Sequence, residues 1–167
     1  GKFGNQKAKV ITSIAMFYDL QDPENFIKDV YEVLDDEGIW IMQLSYSPLM
    51  IYQTAFDNIV HEHWSYLTLF TLKFLLNKNG FDIVDTQLND VNGGSMRVYI
   101  RKAIANIELF GTQPYRDVCL FRIHSLLAQE SCTGANEGKA WLTFFQKIER
   151  LKQRVRFFIQ KEKTNGK

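Results

Sequence analysis

The chain has 167 residues, 46% of them hydrophobic and 14% aromatic, enough to bury a core and too many for a disordered segment. With 20 Lys and Arg against 19 Asp and Glu there is no basic excess to gather a polyanion, so nucleic acid is not expected as a partner. The longest apolar runs fall short of a bilayer span, Cys119 and Cys132 lack C-x-x-C spacing, and the polar start carries no secretory signal, so a soluble, cytoplasmic protein with no membrane partner is expected.

Residues 10–16 are β-branched at the start and continuously apolar or small, which predicts a central parallel strand buried on both faces. Asp22-Pro23-Glu24 then supplies a cap, a proline at the first helical position and an early acid. Phe26, Ile27, Val30, Val33 and Leu34 follow at helical spacing, for about three turns. Asp35-Asp36-Glu37-Gly38 ends that helix and residues 39–44 read as the next strand, completing a β-α-β unit with a right-handed crossover. From 45 to 66 the pattern is irregular, with Tyr46, Tyr52, Tyr66 and the cluster His61-Glu62-His63 following a strand end. Open α/β sheets bind ligands there. Residues 68–79 return to helical spacing through Leu69, Leu72, Leu75 and Leu76, with Gly80 as the stop. Strands at 81–88 and 95–101, joined through a turn containing Gly93 and Gly94, predict an antiparallel hairpin.

Past residue 102 the character changes. Tyr115, Val118, Cys119, Ile123, Leu126 and Leu127 mark one amphipathic helix, and residues 134–138 separate it from a second. In the second, Trp141, Phe144, Ile148, Leu151, Val155 and Phe158 form a narrow apolar seam. An antiparallel pair packed on the domain is expected, with a coiled coil as the alternative. This divides the chain into 1–102, an α/β unit, and 103–167, a helical segment.

His61-Glu62-His63 is the tightest titratable cluster, and three readings of it stand. The two histidines would face the same way in an extended segment, but the H-E-x-x-H spacing of a helical metal site is absent, as is a supporting cysteine pair. The rings could instead serve the loop by bonding its backbone. As acid or base, imidazole titrates near neutrality, and a nearby carboxylate fixes its tautomer or raises its proton affinity.

Four segments carry a family resemblance. Ile11-Thr12-Ser13-Ile14-Ala15-Met16-Phe17-Tyr18-Asp19, Asp22-Pro23, Phe56-Asp57-Asn58-Ile59-Val60-His61-Glu62-His63 and Val91-Asn92-Gly93-Gly94-Ser95-Met96-Arg97-Val98 resemble, in that order, the second half of bacterial nucleotide-sugar C-methyltransferases. These class I enzymes use S-adenosylmethionine to methylate carbon beside a keto group of a deoxysugar nucleotide. The resemblance covers about residues 8–102. The terminal helix resembles the lead into that family's substrate-binding domain. It implies an α/β fold: a partial class I methyltransferase, Rossmann-like sheet with a terminal antiparallel β-hairpin, followed by a helical pair.

The family's Glu-His dyad falls on Glu62 and His63, implying His63 as the general base on carbon and Glu62 beside the sugar, with His61 completing the cluster. For both to reach a substrate the backbone there must turn, since adjacent strand residues point oppositely. Ser13, Ile14 and Ala15 would border S-adenosylmethionine, or form an ordinary buried strand end. Asn92, Gly93, Ser95 and Tyr66 would meet the nucleotide sugar, although Gly93 and Gly94 also suit a plain turn with positive φ. Where some relatives have a tyrosine three residues before the histidine, this chain has Val60. The glycine-rich turn and acid that hold the cofactor are missing, so we expect an internal fragment that alone neither binds the cofactor well nor turns over. It would be prone to self-association through an exposed sheet or the terminal helix. Methylation of another small molecule and a non-catalytic interaction module are the competing readings.

Overall fold

The structure is a computed structural model that describes residues 6–104 and 111–166. Four strands, β1 (Ala8–Ile14), β2 (Leu34–Ser45), β3 (Phe81–Asn89) and β4 (Ser95–Lys102), form one sheet in the order β1-β2-β4-β3. β1 lies parallel to β2, with Ile11 opposite Trp40 and Ile14 opposite Gln43, while β4 runs antiparallel to both β2 and β3. The expected α/β sheet with a terminal antiparallel hairpin is the one found. Helices α1 (Pro23–Val33), α2 (Ser47–Gln53), α3 (Leu69–Lys78), α4 (Gln113–Thr133) and α5 (Gly138–Thr164) complete the described residues.

The helices start where their caps put them. Asp22 accepts from Asn25 N at 3.0 Å with Pro23 in the first turn of α1, and Thr68 and Thr71 form a reciprocal capping box at the start of α3. Alternate residues of the central strands face one core: Trp40, Met42 and Leu44 from β2, Met96, Val98 and Ile100 from β4. Ile27 and Val30 of α1 and Leu69, Leu72 and Leu76 of α3 cover them. From α4, Ile123 and Leu126 join the same core. Asp85 of β3 is 1% exposed and receives Arg122 of α4 through two bonds of 2.8 and 2.6 Å. A register shift between Ile83 and Asp85 accompanies this placement. Losing Arg122 would leave the buried Asp85 carboxylate without its cation, so the pair ties α4 to the sheet.

Three expectations need correction. The strand expected at 10–16 begins and ends two residues earlier and is not central: among the described residues β1 has a hydrogen-bonded neighbour on one side only, and Val10 and Ile14 are 58% and 60% exposed. An apolar run records suitability for burial, but within the described residues nothing pairs with its outer edge. The acidic run 35–37 does not end the first helix as a loop, because β2 already begins at Leu34. Its carboxylates pair with flanking strands, Asp35 with Lys9 and Asp36 with Lys102, each at 2.8 Å. The apolar seam of the last helix is buried only near its start. Phe144 is buried and Trp141 meets Tyr66 edge-on at 5.6 Å, whereas Val155 and Phe158 are exposed. A helix of 27 residues, about 40 Å long, outruns the body that covers its first turns.

Candidate active site

Three turns converge on one edge of the sheet, because β1 and β2 end there and Ser95, which starts β4, lies opposite Ser45. They are the 3₁₀ turn Phe17–Asp19, the long connection 46–68, which begins with α2 and is called the 46–68 loop below, and the hairpin turn before β4. The loop is tied to both strand ends. Trp64 N and Ser65 N donate to Tyr18 O at 2.9 and 3.2 Å, and Ser47 donates to Leu67 O through both its N–H (3.1 Å) and its hydroxyl (2.9 Å). Tyr46 N donates to Gly94 O at 3.3 Å, which brings in the hairpin turn.

His63 sits within this frame. The expected turn is present, with His63 N donating to Val60 O at 3.2 Å. Its Nδ1 lies 2.9 Å from Asn58 O; since a carbonyl only accepts, this contact puts a proton on Nδ1, so in the neutral ring Nε2 is the nitrogen that carries the lone pair. Nε2 is 3.8 Å from Asp19 Oδ1, so an imidazolium formed there gains a carboxylate partner. The ring packs against Tyr18 with centroids 4.4 Å apart and faces Tyr66 at 6.3 Å. With 18% of the side chain exposed, His63 is sheltered by aromatic and polar groups and still open to solvent. Burial, and then the Asp19 charge, raise the proton affinity of Tyr18 above the ordinary phenol, against a hydrogen bond with Ser45, so its hydroxyl stays a neutral donor.

His61 and Glu62 are not brought to that ring. Their side chains are 91% and 73% exposed and lie 3.7 Å from each other. The carboxylate beside His63 is Asp19, and the residues that sequence reasoning passed over are Tyr18, Asp19 and Asn58. A signal was present, because all three lie in segments that carry the resemblance, and a turn after a parallel strand faces the ligand edge. The structure also separates the three tyrosines. Tyr66 donates to Asn58 O at 3.4 Å beside His63, Tyr46 donates to Glu130 at 2.7 Å, and Tyr52 is 81% exposed. Burial, reinforced by Glu130, holds the Tyr46 hydroxyl far above its ordinary value.

Ser13 is buried, and its hydroxyl accepts from Trp40 Nε1 at 2.8 Å. Ala15 N donates to Gln43 O at 2.9 Å, with φ of 53°. A left-handed backbone at a residue with a Cβ is uncommon and costs about 1 kcal/mol or more. Ile14 presents its side chain to solvent. Ser95 is buried and donates to Val91 O at 2.8 Å, so its hydroxyl serves the turn. Gly93 is exposed with φ of 77°; the side chain of Asn92 lies outside the described residues. At Gly94, φ is 120° and a Cβ would stand 2.8 Å from Leu49, which fits glycine alone. A separate cavity of about 320 Å³ lies between α2, α4 and α5, walled by Tyr46, Pro48, Leu49, Tyr52 and Leu88, and does not reach His63. Among the described residues no group of three or more His, Cys, Asp or Glu is placed to hold a metal, and no helix is long and apolar enough to cross a membrane.

No protein-family model matches the chain. Over 160 residues, 96% of its length, it is 26% identical to the C-methyltransferase NovU of Streptomyces niveus. The chain is similar to a C-methyltransferase. The match runs on past residue 102 into α4 and α5, further than the motifs alone reach, and the chain spans 36% of the relative's length. Two solved structures match at 13% identity. LepI in complex with SAM covers 58% of this chain and 27% of its own with a TM-score of 0.49, and the mitomycin 7-O-methyltransferase MmcR covers 59% and 30% with a TM-score of 0.48.

Proposed function

We propose that the chain is an internal part of an S-adenosylmethionine-dependent C-methyltransferase that methylates carbon beside a keto group of a nucleotide-linked deoxysugar. The observation that carries this reading is the arrangement of His63: Nδ1–H engaged by Asn58 O at 2.9 Å, Nε2 with its lone pair, and Asp19 at 3.8 Å. Such a ring accepts a proton at Nε2, and the carboxylate stabilises the cation that forms. The C–H bond of the acceptor breaks, its electron pair moves toward the carbonyl, and the oxygen gains charge. Tyr66, whose hydroxyl makes only a long bond of 3.4 Å to Asn58 O, is the donor best placed to turn toward that oxygen.

Ser13, Ile14 and Ala15 border the cofactor in this reading, and the bonds they already make decide what they can do. The Ala15 N–H is taken by Gln43 and the Ser13 hydroxyl is buried against Trp40 Nε1, from which it accepts, so Ile14 and the Ala15 methyl fit an apolar wall and not a polar grip. When bound, the cofactor supplies an electrophilic methyl group to the deprotonated carbon. Glu62, exposed at the mouth of the loop, is placed to meet a polar acceptor and not to assist His63. Gly93, exposed in the hairpin turn, leaves room for the nucleotide sugar. We assign residues 1–102 to the catalytic α/β unit and 103–167 to a helical lead into a substrate-binding region. The test is His63→Ala in the full-length protein, with methyl transfer from labelled S-adenosylmethionine to a keto-sugar nucleotide and the circular dichroism spectrum measured separately. Unchanged transfer by a folded variant removes the base assignment.

A further inference from the structure

We propose that Glu130, on α4, is a positioning residue for His63, acting by clamping both ends of the loop that carries it. The proposal rests on the reading of His63 as the base, and the test below reads the loop itself. Glu130 is 1% exposed. Its Oε1 accepts from Tyr46 Oη at 2.7 Å and from Leu69 N at 2.6 Å, and its Oε2 accepts from Phe70 N at 2.9 Å. Tyr46 is the first residue after β2 and Leu69 the first of α3. One carboxylate therefore joins the entry and the exit of the 46–68 loop.

The chemistry asks for a group that accepts at both of its oxygens, as a carboxylate does. The first turn of a helix exposes unpaired N–H groups and a partial positive charge, which favour a carboxylate. Thr68 already serves Thr71 N, so Glu130 completes the turn by taking Leu69 N and Phe70 N. A local cap would suffice for α3 alone. Here the acceptor comes from 61 residues away and also holds Tyr46, which makes the link one of loop to helix and not of helix to itself. With its ends fixed, the loop has fewer conformations in which Trp64 N and Ser65 N leave Tyr18 O, the bonds that keep His63 next to Asp19. An amide at position 130 would turn its NH₂ group toward the N–H of Leu69 or of Phe70, losing that bond and setting donor against donor.

The experiment uses the full-length protein with Glu130→Gln and, as the milder variant, Tyr46→Phe. Hydrogen exchange of the Trp64 and Ser65 amides and the ¹⁵N shifts of the His63 ring are compared with those of strand amides such as Met42 and Val98. In Glu130→Gln the two loop amides should exchange roughly tenfold faster or more, the loss of one charge-assisted bond. The ring should drift from a single Nδ1–H tautomer toward the tautomer mixture of a free imidazole, with strand amides unchanged. Tyr46→Phe should move the same signals by less, and it decides the matter if the glutamine variant does not fold. Loop amides and ring shifts that stay at wild-type values, or exchange that quickens equally everywhere, would overturn the proposal and leave Glu130 a cap only. Absence of methyl transfer by the wild-type protein would sink the enzymatic reading without altering any of these signals.

Discussion

Two tripeptides at the same edge of the sheet, Ser13-Ile14-Ala15 and His61-Glu62-His63, divide in similar ways for different reasons. In each, one side chain is held and another faces water: Ser13 is 4% exposed beside Ile14 at 60%, and the side chain of His63 is 18% exposed where that of His61 is 91%. What differs is the partner. Ser13 satisfies an indole N–H inside the core, while His63 is held by a turn carbonyl and faces a carboxylate at the rim. A polar group whose partner lies in the core serves stability, whereas one held at a rim with a lone pair left over is available for chemistry.

Substitutions at the two held residues should separate these roles. His63→Ala should lower methyl transfer by about 10² to 10⁴, the usual worth of a positioned base, with little change in unfolding midpoint. Ser13→Ala should do the reverse. It leaves the Trp40 N–H buried and unpaired and should cost about 1–3 kcal/mol in urea unfolding while the rate per folded molecule stays level. If Ser13→Ala abolished transfer in a stable protein, the rim segment would be part of the catalytic machinery and the contrast would fail. Asp19→Asn should lower the rate by about 1.4- to fivefold, matching the roughly 0.2–1 kcal/mol of a partly exposed ion pair. A loss as large as that of His63→Ala would make the pair a single catalytic unit.

The fold was legible where local signals agreed with each other. Asp22-Pro23 marked the start of α1, the leucine spacing over 68–79 marked α3, and Gly93 and Gly94 marked the hairpin. It was less legible where neighbours decide. The run at 10–16 reads as buried on any hydropathy pattern, and its position at the edge depends on which strands flank it. The apolar seam of α5 has the right period throughout, yet only the body's extent determines where it is covered. At the site, His63 stood out as a titratable group in a post-strand loop. Asp19 and Asn58 did not, because their roles come from the way separate turns fold onto one ring, and spacing does not encode that. Glu130 was less visible still, being a lone acid in a helix 61 residues from the amides it binds.

The smallest effects belong to the exposed half of the comparison, and they are the most discriminating. His61→Ala removes a side chain that is 91% exposed, and both stability and rate should stay within about 0.5 kcal/mol of wild type. Glu62→Gln should leave stability equally untouched. Its carboxylate stands away from His63, so it has no means to alter proton removal, but it is open to an approaching acceptor. The expected result is therefore a KM for the sugar nucleotide raised by a few fold with kcat unchanged, the signature of binding made equally in ground and transition states. A fall in kcat with KM constant would mean that Glu62 swings onto the reacting centre when substrate binds, making the dyad implied by the family resemblance the working pair in place of His63 with Asp19.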